Sequence, residues 1–145
     1  MNAELRKLER LLYGYNYQVF LRTYTAKHDH NADIAAIVAA ALGDKTTVRN
    51  TYTHTTDELV ATIKSHLEYR GDDSSGPIAD RLDGPEFSAL LNTLLNRVRE
   101  LCWSSVSVTG LWIADGHPAY PVFWDFAYLF RGAESSTIFI GSSSD

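Results

Sequence analysis

Between residues 85 and 131 the apolar spacing changes from a helical period to an extended one, which limits the chain to folds that pack helices on a sheet. Phe87, Leu90, Leu91, Leu94, Leu95, Val98, Leu101 and Cys102 recur at i, i+3, i+4, i+7 spacing. Asp83-Gly84-Pro85-Glu86 supplies a helix start, with a capping acid and a proline in the first turn. After Trp103 the period becomes two. Val106, Val108, Leu111 and Ile113 form one run, and residues 121–131 form a longer one. In the longer run Val122, Trp124, Phe126, Tyr128 and Phe130 share one face, and Phe123, Asp125, Ala127 and Leu129 share the other. A loop over 114–120 containing Asp115-Gly116, and a second connection at Gly132-Ala133-Glu134-Ser135, lead to Thr137-Ile138-Phe139-Ile140. Short connections between successive strands predict a three-stranded antiparallel meander, built from the last forty-odd residues, with the helix beginning at residue 85 packed on it.

Upstream, Leu5, Leu8, Leu11 and Leu12 predict an amphipathic helix over residues 3–13, ended by Gly14. Residues 15–25 place Tyr15, Tyr17, Val19 and Leu21 on one side of an aromatic, β-branched segment, which favours a strand able to join the sheet. A continued helix is the competing reading. Asn31 and Asp33 offer N-caps to a helix through Ile34, Ile37, Val38, Ala41 and Leu42 that stops at Gly43. Thr55 with Glu58 is a capping-box pattern ahead of Leu59, Val60, Ile63 and Leu67. Gly71-Asp72-Asp73-Ser74-Ser75-Gly76-Pro77 reads as a surface turn, and Ser142-Ser143-Ser144 as a low-complexity end. The fold class expected is α+β, with amphipathic helices first and the sheet last.

At 145 residues the chain has the length of one ordinary domain, 1–145. Folding at that size buries roughly 68–70% of the unfolded surface, enough for a core without staples. Cys102 is the single cysteine, which excludes an internal disulfide and a thiolate zinc cluster; a core position beside Leu101 is its expected place. No apolar run approaches the roughly 20 residues that span a bilayer. The charged start Met1-Asn2-Ala3-Glu4-Leu5-Arg6-Lys7 lacks a signal-peptide core, so a cytoplasmic location without membrane contact is expected.

The charge is unevenly placed. Between Thr56 and Glu86, eight acids face three bases, which accounts for the whole formal charge of −5. Such a distribution argues against nucleic acid as a partner and suits a basic protein. The acids singled out are Asp72, Asp73, Asp80, Asp83 and Glu86; a solvated helix and loop is the plainer account of them.

His28-Asp29-His30 has ligand chemistry, but no HExxH-type spacing completes a site from His54, His66, His117 or Asp115. A loop and helix cap is the expected role, and neither a metal nor a cofactor is called for. His66, beside Leu67, reads as a buried, hydrogen-bonded histidine. There is no G-x-S-x-G elbow, P-loop or G-x-G-x-x-G, so no catalytic residue is assigned. A small metal-dependent or hydrolytic enzyme using His28, His30 and His117 is retained as the alternative, alongside a homo-oligomeric structural subunit. Trp112, Asp115, His117, Tyr120, Trp124 and Asp125 fall around one hairpin, where large amphipathic side chains and carboxylates suit a binding hot spot. Trp124 is assigned to the core. Asp125, on an otherwise apolar strand, must face water, pair with a base such as Arg131, or meet a partner.

The run Phe123-Trp124-Asp125-Phe126-Ala127-Tyr128-Leu129-Phe130, a short turn, and Ile138-Phe139-Ile140-Gly141-Ser142-Ser143-Ser144-Asp145 resembles the ending of many small bacterial immunity proteins. That resemblance covers about twenty-five residues and implies an inhibitor that binds a cognate toxin of interbacterial competition, often a nuclease, by direct protein–protein contact. It transfers no individual contact residue. Partner-binding candidates are therefore those read from chemistry: Asp72, Asp73, Asp80, Asp83, Glu86, Trp112, Asp115, His117, Tyr120 and Asp125.

Overall fold

The computed structural model describes residues 1–145 as five helices and seven strands. The helices are α1 (Asn2–Leu12), α2 (Ile34–Leu42), α3 (Thr56–Leu67), α4 (Ala79–Leu82) and α5 (Pro85–Ser104). The strands are β1 (Gly14–Tyr15), β2 (Gln18–Lys27), β3 (Thr47–Tyr52), β4 (Gly76–Pro77), β5 (Ser107–Asp115), β6 (Trp124–Arg131) and β7 (Ser135–Ser144). No helix is long and apolar enough to cross a membrane. The architecture is α+β, but the sheet has five antiparallel strands in the order β2-β7-β6-β5-β3, so the expected three-stranded sheet is corrected to five.

The two added strands come from the N-terminal half. Gln18–Lys27 is a strand and not a continued helix, pairing along its full length with β7. Tyr15 departs from the expected alternation: Asn16 takes a left-handed φ of 44°, which turns the chain between Tyr15 and Tyr17. Tyr17 is therefore buried while Tyr15 is 72% exposed. Thr47–Tyr52 carries no clear two-residue alternation because it is a mostly exposed edge strand with two register shifts against β5. Its β-branched Thr47, Val48 and Thr51 were the signal available.

Two segments read as loop or tail are ordered by their neighbours. Ser142 and Ser143 are buried in β7, where Ser143 lies opposite Trp124 and Gly141 opposite Phe126, so small residues accommodate large ones across the ladder. Gly76 and Pro77 are likewise buried, paired with β1. Residues 121–123 precede β6 instead of belonging to it; the Val122 and Phe123 amides both turn to the Ser143 carbonyl.

Helices cover both sheet faces. Leu5, Leu8 and Leu12 of α1, Leu59, Val60, Ile63 and Leu67 of α3, and Phe87, Leu91, Leu94, Leu95 and Val98 of α5 pack with Val19, Leu21, Trp124, Phe126, Tyr128, Phe130 and Phe139. On the opposite face α2 alone places Ile37 and Val38 over Leu111, Ala127, Leu129, Ile138 and Ile140. β6 is therefore apolar on both sides from Phe126 to Phe130. Two helix starts follow the sequence signals: Thr55 and Glu58 form the reciprocal capping box, and Asp33 Oδ1 accepts the Ala36 amide at 2.8 Å. The start of α5 departs from them: Gly84 is its N-cap with no side-chain cap, because the expected capping acid Asp83 is turned to Arg70.

The free edge of β2 is occupied by α1 side chains. Glu9 accepts the Leu21 amide at 2.9 Å and pairs with Arg22, while Asn2 Oδ1 accepts the Thr23 amide at 3.0 Å. These bonds occupy donors that an exposed edge would offer to another strand.

Two rings lie on glycines directly across the ladder, Phe126 on Gly141 and Tyr52 on Gly110, and a Cβ at either glycine would enter the ring. Overpacking of this kind costs about 1–3 kcal/mol. Gly141→Ala and Gly110→Ala should each lower the urea midpoint accordingly, with Phe126→Leu recovering part of the loss in the Gly141→Ala background; unchanged midpoints would refute these contacts.

Candidate functional site

One end of the sheet is split. β5 pairs with β6 only from Ser107↔Arg131 to Gly110↔Tyr128, although β5 runs on to Asp115 against β3 and β6 begins at Trp124 against β7. The two strands thus diverge into a fork, joined beyond their ends by residues 116–123. A cleft of about 120 Å³ opens there, lined by Tyr52, Leu111, Trp112, Ile113, Asp125 and Phe126.

The rings on the face covered by α1, α3 and α5 form a continuous set. His66 of α3 stacks on Trp124 at 5.2 Å, and Trp124 stacks parallel to Phe126 at 6.0 Å. His66 is thus half-buried and held by stacking, not by the expected hydrogen bond, because its helix sets the imidazole flat on the indole. Tyr52 meets Trp112, His54 and Tyr128 edge-on. Tyr128 is wholly buried, and its hydroxyl bonds to His54 Nδ1 at 3.1 Å, which provides the partner a core tyrosine needs. Burial raises the Tyr128 hydroxyl far above its ordinary range. Trp124 donates to the Tyr17 hydroxyl at 2.9 Å, and burial pushes that phenol up to about 12. Cys102 packs partly buried against this core, with its thiol raised by desolvation, as suits an unreactive position.

Every residue proposed from sequence for partner contact lies toward this end. Asp72 and Asp73 are exposed on the loop before β4. That loop is tied to the β1–β2 turn by Asn16 donating to the Ser74 carbonyl at 3.2 Å. Tyr17, Tyr69 and Phe123, with ring centroids 5.7–5.9 Å apart, join it to the loop that closes the fork. Asp80 and Glu86 are exposed at the start of the α4–α5 segment, which is anchored here by Arg81 donating to the Tyr13 carbonyl at 3.3 Å. Trp112 is 53% exposed and Tyr120 78%, with Asp115 and Asp125 also exposed. Tyr15 and Val122, which sequence reasoning did not select, are exposed at the same end. Tyr15 was hidden by its apparent place in a strand alternation; Val122 had no signal beyond its loop neighbours.

Three of the acids bond within the chain, Asp115 only through its Oδ2, which accepts the Thr47 hydroxyl at 3.4 Å. Asp72 Oδ1 accepts the Ser74 amide and hydroxyl, both at 2.8 Å, and the Ser75 amide at 2.9 Å, closing the turn and lowering the carboxyl pKa. Asp83 pairs with Arg70 at 2.6 Å. The Asp125 carboxylate forms neither a salt bridge nor a hydrogen bond within the chain, and the suggested pairing with Arg131 does not occur. Arg131 is six residues along β6 at the other sheet end, where it donates to the Ala32 carbonyl at 2.5 Å.

The histidine cluster of the enzyme alternative is also dispersed. His28 Nε2 lies 2.6 Å from Ser136 Oγ, past the far end of β2, whereas His117 follows β5 at the split end. The ten residues of β2 correspond to roughly 33 Å between those ends. His28, His30 and His117 therefore do not meet, which removes the site on which that alternative depended.

His117 is half-buried, its Nδ1 accepts the Ala119 amide at 2.9 Å, and Nε2 is buried without a partner. Neither a protein-family model, a curated protein nor a solved structure matches the chain.

Burial lowers the pKa of His66 and His117 from 6.5, and the nearby Asp125 carboxylate opposes the shift in both. A depressed histidine pKa means that the unfolded chain takes up protons first, so stability is full above about 6.5 and declines as pH falls below it. The urea midpoint should drop through that window, and His66→Phe should flatten the slope; a midpoint independent of pH below 6.5, or an unchanged slope in the variant, would contradict this assignment.

Proposed function

We propose that the split end of the sheet is a protein-binding face, and that the chain is an immunity-type inhibitor neutralising a cognate bacterial toxin by direct contact. The observation that carries this reading is convergence: exposed Tyr15, Trp112, Tyr120 and Val122 share one end of the molecule with Asp73, Asp80, Asp115 and Asp125. Tyr and Trp supply large contact areas at little conformational cost, while separated carboxylates steer a basic partner into register. Five strands spaced about 4.8 Å apart give this end a width of roughly 20 Å before the flanking loops are added. Those dimensions suit a standard patch of about 800 Å² per partner.

The resemblance of 123–145 to immunity-protein endings supports the same reading. Under it the partner has a basic surface, as nucleases do, and the inhibitor acts in the cytoplasm of the producing cell. The acids at the split end would oppose the phosphate-binding face of such a toxin without contacting nucleic acid. No metal or cofactor enters this account.

The reading predicts a toxin gene beside this one, and the test is co-expression with that gene's product, scored by cell survival and by titration calorimetry of the purified pair. Trp112→Ala with Tyr120→Ala should weaken binding by at least tenfold. Asp73→Lys with Asp80→Lys should weaken it less and reduce its salt dependence; both carboxylates are free of internal ion pairs. Full protection and unchanged affinity in both double variants would remove this face from the interface.

A further inference from the structure

The fork between β5 and β6 has a more specific chemistry than the face around it. Its cleft of about 120 Å³ is well below the 300–1,000 Å³ of small-molecule and cofactor sites, so its scale is that of one side chain. Five of the six lining residues, Tyr52, Leu111, Trp112, Ile113 and Phe126, are apolar or aromatic, and the only charged one is Asp125.

That carboxylate is unanswered from within the molecule. Lys45 and Arg49, on the neighbouring β3 segment, are not among the four ion pairs of the chain, and Arg131 is committed at the far end of β6. His66 and His117 are close enough to feel Asp125 electrostatically, yet burial favours their neutral forms. An apolar slot with aromatic walls and a single carboxylate is complementary to a planar cation on an aliphatic stem. Guanidinium meets that description better than ammonium, because it stacks on rings and binds a carboxylate through two parallel N–H donors.

We infer that this fork is a socket for one arginine side chain of the protein partner, its stem between Trp112, Ile113 and Phe126 and its guanidinium on Asp125. The inference rests on the protein-binding reading of the split end and names the chemistry of its central contact. An arginine so placed would be enclosed by rings and paired with a carboxylate, the setting in which interface anchors dominate affinity. It also assigns Asp125 the third of the fates open to it from sequence, a partner.

The socket is testable on the free chain. ¹⁵N-labelled protein is titrated with N-acetyl-arginine amide, N-acetyl-lysine amide and the neutral isostere N-acetyl-citrulline amide, following the indole Nε1–H of Trp112 and the amides of 111–113 and 125–126. The expected result is a saturable arginine response with Kd on the order of 1 mM, at least tenfold weaker for citrulline and weaker for lysine. Asp125→Asn should abolish saturation; the Asp125 carboxylate makes no internal hydrogen bond or ion pair, so a thermal midpoint unchanged at a pH where His66 and His117 are neutral serves as the folding control. Absence of a saturable response, equal binding of citrulline, or a response that survives Asp125→Asn would overturn the socket, and equal binding of lysine would overturn the arginine assignment. Failure here and failure of the inhibitor reading are separable. Toxin protection that persists in Asp125→Asn overturns the socket alone, whereas arginine binding with no protection of toxin-expressing cells supports the socket and overturns the inhibitor reading.

Discussion

Burial of β6 on both faces is the constraint around which the remaining elements are arranged. From Phe126 to Phe130 every side chain is buried, so the sheet needs cover above and below. Three long helices supply one layer and the single short helix α2 supplies the other. Burying a large apolar side chain is worth about 1.5–3 kcal/mol, and this strand buries Trp124, Phe126, Tyr128, Leu129 and Phe130. Its neighbours accommodate its rings by being small: Gly141 and Ser143 in β7 face Phe126 and Trp124. The polar atoms brought into the core are mostly matched, Tyr128 by His54 and Trp124 by Tyr17.

The same strand accounts for the split end. Continuing the β5–β6 ladder past Gly110↔Tyr128 would set Leu111 opposite Ala127 and Ile113 opposite Asp125, on the face that α2 covers. A carboxylate without a counter-charge is costly to bury, on the order of several kcal/mol. Divergence keeps Asp125 exposed while leaving Trp112 half in solvent. The fork thus opens where one acidic residue stands at the start of an otherwise apolar strand.

What could be read from the sequence tracks how locally each element is determined. The helix over Pro85–Ser104 and the alternation of β6 were legible because apolar period alone specifies them. β3 and the extension of β7 through Ser142–Ser144 were not, since their strand character comes from pairing with residues far away in sequence. The acids and aromatics of the binding face could be listed from residue chemistry. That they occupy one end could not, because it depends on the Tyr17–Tyr69–Phe123 contacts and the Asn16–Ser74 hydrogen bond, which join three separated segments. The dispersal of His28, His30 and His117 was equally hidden, being set by the length of β2.

If the inhibitor reading holds, amide hydrogen exchange of the chain alone and bound to its cognate toxin decides whether the split end is the binding face, because it reports every segment of the surface at once. Binding through the split end slows exchange in 13–17, 71–77 and 111–125, the segments that form it, with the opposite end at 27–32 and 104–107 unchanged. Protection confined to that opposite end or to α2, with 111–125 exchanging as in the free chain, would contradict it.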